Sequence, residues 1–598
     1  MKLSFTPTLD RWLKHKREPQ ALAWLLSILW LLLVGFLAFF WNLGSTGLVD
    51  ETEPLFAEAS RQMTVTGNWI TPMFNGVTRF DKPILIYWCQ AIAYRIFGVN
   101  EWAVRLPSAL SAMGLVSLSF YTLWSFGSIT IQASPDRNPR RGYWLCAGLG
   151  SAAIALNPHI MIWARTGVSD MLLTGCMDGA LLAFFLGYAQ PTKPAVQERW
   201  YLAFYVLAAL AVLTKGPVGI VLPSLIISAF VLYLGNWRQV WREIRPLRGG
   251  LLFIGLVLPW YILVIQANGW KYINSFFGHH NLERFTQVLE HNLQPWYFYL
   301  LVILLGFAPW SVYLPVAIAR LKFWQRHNWQ STPRSQHLGL FTLFWFMGVL
   351  SFFTIAATKL PSYVLPLMPA AAILVALMWS QQLTETIKSK YKSKQTLLLW
   401  SGWLNVVFLF VLAAALFYSP HFPLSDPAIL NPRQMIQQSG LPVLAATIWM
   451  VAAVIMAVLL WYRQWWGIVS VNLLGFIAFL IFAFMPTSFL IDQARQLPLR
   501  QLTAIAIQTQ QPGEPFFMVG FKKPSVVFYS HRPVTYFLRP KSAAAEIEKI
   551  ALSQPQPPTL LILSHPQKLQ QLGLLPSQYQ NLGQAGTYQL IRIAKSRF

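Results

Sequence analysis

The chain has 598 residues, of which 55% are hydrophobic and 11% are charged, with 46 Lys and Arg against 21 Asp and Glu. Soluble domains carry about a quarter charged residues, so this composition indicates an integral membrane protein and excludes an ordinary soluble one. The formal charge of +25 does not indicate nucleic-acid binding, because the basic residues lie in short clusters between apolar runs, as in cytoplasmic loops.

Long apolar runs, each able to cross a bilayer as a helix, occupy most of the chain. We predict thirteen membrane spans, the fifth of them the shortest, near residues 21–43, 107–130, 143–162, 168–188, 200–214, 217–235, 250–267, 297–319, 338–357, 361–380, 397–418, 442–462 and 466–486. The first run has no small-residue cleavage site, so we expect an uncleaved helix and no signal peptide.

The loops between the predicted spans differ in charge. Basic clusters precede the first span and follow the second, sixth, eighth and tenth, namely Lys14, Lys16 and Arg17; Arg137, Arg140 and Arg141; Arg238, Arg242, Arg245 and Arg248; Lys322, Arg326 and Arg334; Lys388, Lys390, Lys392 and Lys394. All of these clusters fall on one side of the membrane if thirteen spans alternate. By the positive-inside rule that side is the cytoplasm, and the N-terminus lies there too. We therefore expect the C-terminus and the loops 44–106 and 268–296 outside.

The first outer loop, 44–106, is only partly polar. Residues 52–65 and 83–98 mix apolar and polar positions at near-helical spacing. This pattern predicts two helices that lie in the plane of the membrane interface.

The composition changes from about residue 488, where apolar spans give way to short segments. A predicted helix and four β-prone runs follow, at 541–553 and at 515–521, 525–529, 559–563 and 588–593. The sequence therefore predicts a mainly α, polytopic transmembrane domain over 1–487 and a small C-terminal α/β domain over 488–598, outside the membrane.

Carboxylates are crowded where the first span meets the outer loop. Asp50, Glu51, Glu53 and Glu58 lie within twelve residues of Gly47 in a chain that is poor in acids. Such groups cost free energy at a membrane boundary unless they are solvated, paired or used. Each is either a solvated loop residue or part of a reaction site, and Asp50 lies closest to the end of the span.

A second boundary carboxylate, Asp170, lies near the outer end of the fourth span. It is either paired with Arg165 or functional. Arg165, Lys215 and Lys359 each lie at the outer end of a span, against the positive-inside bias. They either complement the helix macrodipole or, with Arg79 and Lys82, converge on an anionic group such as phosphate.

Histidines in the second outer loop raise the question of a metal. His279 and His280 lie near Glu283 in sequence, and with Asp81 or Glu283 one of them could form a mixed imidazole and carboxylate site. We predict either a divalent ion there (Zn²⁺, Mg²⁺ or Mn²⁺) or no cofactor.

Several short motifs resemble those of a known family. In chain order they are Asp50-Glu51, Gly67-Asn-Trp-Ile70, Phe80-Asp-Lys-Pro-Ile84 with Tyr87-Trp88, Thr214-Lys-Gly216, His280-Asn-Leu-Glu-Arg-Phe285 with Gln294-Pro-Trp-Tyr297, and Lys359-Leu-Pro-Ser-Tyr363 with Leu365-Pro366. Together they resemble the aminoarabinose transferases, within the dolichyl-phosphate-mannose protein mannosyltransferase-like group of GT-C fold. The likeness spans about residues 20–370.

The resemblance implies a glycosyltransferase that uses a polyprenyl-phosphate-linked sugar on the periplasmic face and inverts the anomeric centre. Asp50 matches the catalytic carboxylate, which we assign as the general base, and Asp170 matches a second functional carboxylate near the donor. Lys82 matches a phosphate-contacting lysine. Asp81, where the family has Glu, and His280 match metal-binding positions.

The other matched residues complete the predicted site. Donor-phosphate binding is predicted for Arg79, Arg165, Lys215, Lys359 and Tyr363, and further site contacts are predicted for Glu51 and Tyr87. The chain departs from the family after Asp50, where Glu53-Pro-Leu-Phe56 replaces an early Arg-Tyr. The reaction class is therefore implied, whereas aminoarabinose as the sugar is not.

The predicted partners follow from this class of enzyme. We expect a membrane-embedded monomer in a bacterial inner membrane, with a lipid A-like glycolipid, another lipid or a protein as acceptor. The alternatives are a lipid or solute transporter and a sensor built on the C-terminal domain. Transporters usually hold their ionisable residues near the bilayer midplane, whereas the charges here gather at one face, which favours the enzyme.

Overall fold

The computed structural model describes residues 20–127, 139–283, 286, 294–386, 396–422, 426–553 and 556–597. In this part of the chain ten helices are long and apolar enough to cross a membrane: Ala21–Phe40, Glu101–Phe126, Ser169–Tyr188, Pro194–Lys215, Pro246–Asn268, Leu338–Ile355, Pro361–Thr384, Thr396–His421, Leu441–Trp461 and Trp465–Arg495. Such helices satisfy their backbone hydrogen bonds internally, as the bilayer requires.

Two pairs of helices are sharply bent and raise the count of candidate spans to twelve. Gly142–Ala155 meets Pro158–Ala164 at 63°, and Phe298–Gly306 meets Ser311–Arg320 at 115°. The sixth predicted span is the helix Val218–Leu234, which has 17 residues. Each of the thirteen predicted spans thus has a helical counterpart, and the predicted multi-span helical fold is confirmed.

The expectation that the fifth span is the shortest is wrong. The helix Pro194–Lys215 has 22 residues, because its first turns contain the polar Gln197, Glu198 and Arg199, which an apolar window leaves out. The shortest is the sixth, Val218–Leu234.

Burial divides the bundle into a centre and a periphery. In the most apolar stretch of Ser169–Tyr188 and of Pro361–Thr384, 94% of the residues are buried. In that of Pro246–Asn268 the share is 17%. The first two helices therefore form the core, and both begin at the end of the bundle from which loop 44–106 emerges, here called the loop end. Shorter helices connect the spans: Trp237–Glu243, Trp270–Ile273, Asn274–Glu283, Arg326–Ser331 and Pro432–Gln438.

Loop 44–106 contains the two predicted helices, Glu53–Thr66 and Leu85–Phe97. Between them lies a two-stranded hairpin, β1 (Met73–Phe74) with β2 (Val77–Thr78). Its turn is Asn75-Gly76, with φ of 52° and 78°, the combination that tight hairpins require.

The C-terminal domain holds a five-stranded mixed sheet in the order β4-β3-β5-β7-β6. The strands are β3 (Phe516–Val519), β4 (Thr535–Phe537), β5 (Thr559–Ser564), β6 (Gln580–Ala585) and β7 (Tyr588–Ala594). β3 pairs in parallel with β4 and β5, and β7 runs antiparallel to β5 and β6. The associated helices are Leu497–Thr509, Ser525–Ser530, Pro540–Ser553 and Pro566–Gln571.

One predicted strand is a helix. Residues 525–529 lie in Ser525–Ser530, which follows Pro524, a residue whose fixed φ suits a helix start. Val526 and Val527 face the core beneath the sheet, while Phe528 packs against loop 44–106. A helical turn can bury side chains on both sides, and this burial outweighs the β preference of the valines. The short strands β4 and β6 were not predicted.

Candidate active site

Asp50 lies in the turn between the first span and the helix Glu53–Thr66, and both of its carboxylate oxygens accept hydrogen bonds. The backbone N–H of Ser525 donates to Oδ1 at 2.9 Å, and the Ser525 hydroxyl donates to Oδ2 at 2.5 Å. Burial raises the pKa of Asp50 to about 6, although the Ser525 hydrogen bonds and the Lys523 charge oppose that rise. A carboxyl with this pKa is ionised at neutral pH and is basic enough to accept a proton.

Glu51, the next residue, forms a looser contact with the same segment. Its Oε1 lies 3.9 Å from the Lys523 Nζ, and its side chain is 59% exposed. An exposed pair of this kind contributes little stability. Glu51 is therefore free to face solvent or a substrate beside Asp50.

Glu53 is a buried structural residue. Its carboxylate accepts hydrogen bonds from the Arg105 guanidinium at 2.8 and 3.0 Å, from the Gly167 N–H at 2.7 Å and from the Val49 N–H at 2.8 Å. Glu58 is likewise buried and paired with Arg61 at 2.7 Å. Glu53 fixes the loop to the bundle, and Glu58 pairs within its own helix, which leaves Asp50 and Glu51 as the reactive candidates of the acidic segment.

Asp170 begins the helix Ser169–Tyr188, and its main partner is Lys215, not Arg165. The Lys215 Nζ donates to Asp170 Oδ1 at 2.7 Å and lies 5.9 Å from the centre of the Tyr363 ring. The Ser362 hydroxyl also hydrogen-bonds this carboxylate, and the Lys82 charge acts on it. The structure thus brings together four of the predicted residues, Asp170, Lys215, Tyr363 and Lys82.

His159 is a neighbour of this group that the sequence did not single out. Its Nε2 lies 3.0 Å from the Pro361 carbonyl oxygen, and its ring interacts electrostatically with Asp170. The Asn157-Pro158 start of its short helix carried no chemical motif, so residue types alone could not identify it.

Arg79, Asp81 and Tyr87 form a second network in loop 44–106. The Arg79 Nη2 lies 2.5 Å from Asp81 Oδ2, and its Nε donates to the Tyr87 hydroxyl oxygen at 3.1 Å. Burial raises the pKa of Tyr87 above its ordinary value, so this phenol stays protonated. The Lys82 Nζ donates to the Asp81 carbonyl oxygen at 2.8 Å, which ties this network to the lysine beside Asp170.

Arg165 and Lys359 contact carbonyl groups at helix ends. Arg165 donates to the Trp41 and Asn42 carbonyls at 2.7 and 3.0 Å, just after the first span. Lys359 donates to the Ala356 carbonyl at 3.1 Å, just after Leu338–Ile355. These contacts fit the macrodipole interpretation, and phosphate binding by these two residues stays a prediction.

The predicted metal pair is only partly described. The side chain of His280 lies outside the described residues, and Asp81 is already engaged by Arg79. Among the described residues no group of three or more His, Cys, Asp or Glu side chains could hold a metal ion. No step below depends on a metal.

Two parts of the candidate site lie at the loop end without direct contact. Within the described residues, no hydrogen bond or ion pair joins Asp50 to Asp170. Glu53 links them indirectly, because it binds the Gly167 N–H three residues before Asp170. The segment after the helix Pro246–Asn268 starts beside loop 44–106, where Asn268 Nδ2 donates to Thr71 Oγ1 at 2.8 Å.

Comparison with known proteins gives a consistent result. Residues 28–133 match the family profile of dolichyl-phosphate-mannose-protein mannosyltransferase. Residues 509–598 match the cyanobacterial RgtA-type glycosyltransferase C-terminal domain.

Curated relatives point the same way. The chain is 28% identical to the undecaprenyl phosphate-alpha-4-amino-4-deoxy-L-arabinose arabinosyl transferase of Shewanella sediminis, over 67% of each protein. It is 30% identical to the Enterobacter sp. protein of the same name, over 63% of this chain and 62% of that one. The matched segment thus spans about two thirds or less of these relatives.

A solved structure shows the same fold over nearly the whole chain. ArnT from Cupriavidus metallidurans, bound to undecaprenyl phosphate, aligns with a TM-score of 0.74 at 20% identity and covers 96% of this chain and 98% of that one. None of these similar proteins is a transporter by name, so the transporter alternative gains no support. Together the matches support an aminoarabinose transferase-like family of GT-C membrane glycosyltransferases for this chain.

Proposed function

We propose that the chain transfers a sugar from a polyprenyl-phosphate donor to an acceptor at the extracytoplasmic face of a bacterial inner membrane. The observation that carries the proposal is the half-buried Asp50, whose pKa is raised to about 6, at the same end of the bundle as the Asp170–Lys215 pair. A base and a cationic group are thus both available at the mouth of a membrane bundle.

The reaction needs one bond made and one broken. An acceptor oxygen attacks the anomeric carbon of the sugar, the bond from that carbon to the phosphate oxygen breaks, and polyprenyl phosphate leaves. The acceptor proton passes to the Asp50 carboxylate. Direct displacement inverts the anomeric centre.

The leaving phosphate gains negative charge in the transition state, so it needs cations aimed at it. Lys215 and Lys82 are the best candidates, because both act on Asp170. Asp170 holds the Lys215 ammonium at 2.7 Å and so fixes its position. Tyr363, beside that ammonium, closes the group on the side of the helix Pro361–Thr384.

The donor class rests on the relatives. Two are named for undecaprenyl phosphate-linked aminoarabinose, and one solved neighbour holds undecaprenyl phosphate. For this chain we propose a polyprenyl-phosphate sugar of hexosyl or pentosyl type, without assigning the sugar. The acceptor is a lipid A-like glycolipid, another lipid or a protein.

The proposed orientation follows the charge pattern. The N-terminus lies in the cytoplasm, and loop 44–106, loop 268–296 and residues 488–598 lie outside. This arrangement leaves the prenyl chain in the bilayer while the sugar reaches water. The protein acts as a monomer. A divalent metal bound by Asp81 and His280 is the alternative to lysines alone as the positive charge that stabilises the leaving phosphate.

The proposal is tested by mass spectrometry of glycolipids and glycoproteins from bacterial cells with and without this protein. A sugar present only in the producing cells, and absent with the Asp50→Asn variant, supports transfer. Identical glycan profiles in all three strains, with the protein correctly inserted, would contradict it.

A further inference from the structure

The carboxylate of Asp50 is held by a residue of the C-terminal domain. Ser525 binds both oxygens, one through its N–H at 2.9 Å and the other through its hydroxyl at 2.5 Å. We propose that Ser525 is a positioning residue for Asp50, so that the C-terminal domain is an integral part of the active site. This inference rests on the proposed function of Asp50 as the general base.

The two hydrogen bonds fix the carboxylate in one plane. A carboxylate has about four acceptor positions, and Ser525 occupies one on each oxygen. The Gln496 amide lies 3.2 Å from Oδ2 and can donate to it, which leaves a position on Oδ1 for the acceptor hydroxyl. Without these two hydrogen bonds the Asp50 side chain could rotate. Rotation matters because a base must lie within hydrogen-bond reach of the proton that it removes.

The segment that carries Ser525 is anchored by the residues that follow it. Phe528, in the same helix, is buried in a cluster with Leu48 and Val104. The Tyr529 hydroxyl accepts from the Leu48 N–H and donates to Glu101, both at 2.9 Å. Ser525 therefore sits on a rigid support that is attached to the loop just before Asp50.

Two further contacts fix the loop, one to the end of the helix Trp465–Arg495 and one to the C-terminal domain. Asp492 Oδ1 accepts from the Gly47 N–H at 2.7 Å, while its other oxygen pairs with Arg500 at 2.5 Å. At the hairpin, Asn75 exchanges two hydrogen bonds with the Val534 backbone, at 2.7 and 3.0 Å. The contacts extend over the whole loop, so the position of Ser525 relative to Asp50 is built into the docked domain.

The two hydrogen bonds from Ser525 predict a change in the pKa of Asp50 when the hydroxyl is removed. Hydrogen bonds to the ionised form favour it, and Ser525 lowers the pKa of Asp50 against the effect of burial. Loss of the hydroxyl should raise that pKa, so that the base is protonated at a higher pH. A purely structural role of Ser525 would not move the pH profile in this way.

The test compares Ser525→Ala, Ser525→Cys and Ser525→Thr with Ser530→Ala in the purified full-length enzyme. Ser530 lies in the same helix and bonds the Val527 carbonyl. We expect Ser525→Ala to lower kcat about tenfold, the size of one lost hydrogen bond to a charged group, with the donor KM unchanged. The acid limb of its pH profile should move up by about one unit.

The other variants separate positioning from folding. Ser525→Thr keeps the hydroxyl and should have the wild-type pH profile. Ser525→Cys has a weak donor, so its kcat and pH profile should lie between those of Ser525→Ala and the wild type. Ser530→Ala should match the wild type. If Ser525→Ala does not fold, the Cys and Thr variants carry the comparison. A wild-type kcat and pH profile in the folded Ala or Cys variant would overturn the inference, while loss of activity in Asp50→Asn would leave the proposed function standing.

Discussion

Lys215 and Asp170 form an ion pair of 2.7 Å that joins the ends of two consecutive helices. Asp170 begins Ser169–Tyr188, and Lys215 ends Pro194–Lys215, where Gly216 with φ of 83° turns the chain. Each charge lies at the helix end of opposite dipole sign. The helix dipoles explain why the pair is stable there. Tyr363 and Lys82 lie beside it and could bind a phosphate together with Lys215.

Replacing Lys215 tests this group. We expect Lys215→Ala to raise the KM for the donor and to lower kcat/KM at least tenfold, because a cation facing the phosphate is lost. Lys193→Ala, a change at an exposed lysine of the opposite helix end, is the matched control. The measurement is steady-state transfer with a labelled polyprenyl-phosphate sugar, and unchanged donor kinetics in Lys215→Ala would remove Lys215 from the donor site.

The buried pair of Arg105 and Glu53 makes a prediction about stability. Their side chains are 3% and 1% exposed, so Arg105→Met leaves the buried Glu53 carboxylate without its cation. Breaking such a pair costs about 3–5 kcal/mol, and the unfolding temperature in detergent should fall clearly. The exposed Arg199 provides the control variant Arg199→Met. Equal melting of Arg105→Met and wild type would contradict this prediction and show that the Gly167 and Val49 N–H groups suffice to hold the Glu53 carboxylate.

The raised pKa of Asp50 predicts the pH dependence of transfer. The base acts in its ionised form, so activity is full above the pKa and is lost as the pH falls through about 6. The plot of kcat/KM against pH reports ionisations of the free enzyme and should show this acid limb. An acid limb near 4, the ordinary value for Asp, would mean that Asp50 is not buried or is not the base.

Chelation tests the metal alternative. Because Arg79 and Tyr87 already engage Asp81, we expect transfer to persist after treatment with EDTA. The measurement is activity before and after the treatment, with added Zn²⁺, Mg²⁺ or Mn²⁺ as the recovery step. Loss of activity that a divalent ion restores in the wild type but not in His280→Ala would contradict this expectation.

Much of the fold could be predicted because the bilayer limits the choices. Apolar length located the helices, and near-helical spacing located Glu53–Thr66 and Leu85–Phe97. Loop 44–106 could be predicted as the reaction region because acids are costly at the boundary of a span. The pairing of Asp170 with Lys215 could not, since they lie 45 residues apart and Arg165 was the nearer partner in sequence.

The contact of Ser525 with Asp50 was even harder to predict from the sequence than the Asp170–Lys215 pair. The two residues are separated by 475 positions, and the β-prone valines after Ser525 predicted a strand. Only the docking of the C-terminal domain, with Phe528 buried against the loop, turns that segment into a helix and points its first N–H at Asp50. Local propensity carries no information about such a distant surface.

The most direct test of the account is the transfer rate of Asp50→Asn, measured with a polyprenyl-phosphate sugar and purified enzyme. Asn keeps the size of the side chain but cannot take the proton, so the rate should fall by about 10²- to 10⁴-fold with unchanged donor affinity and melting temperature. Glu548→Gln, at an exposed acid of the C-terminal domain, should retain the wild-type rate. A folded Asp50→Asn enzyme that transfers sugar at the wild-type rate would contradict the assignment of Asp50 as the base.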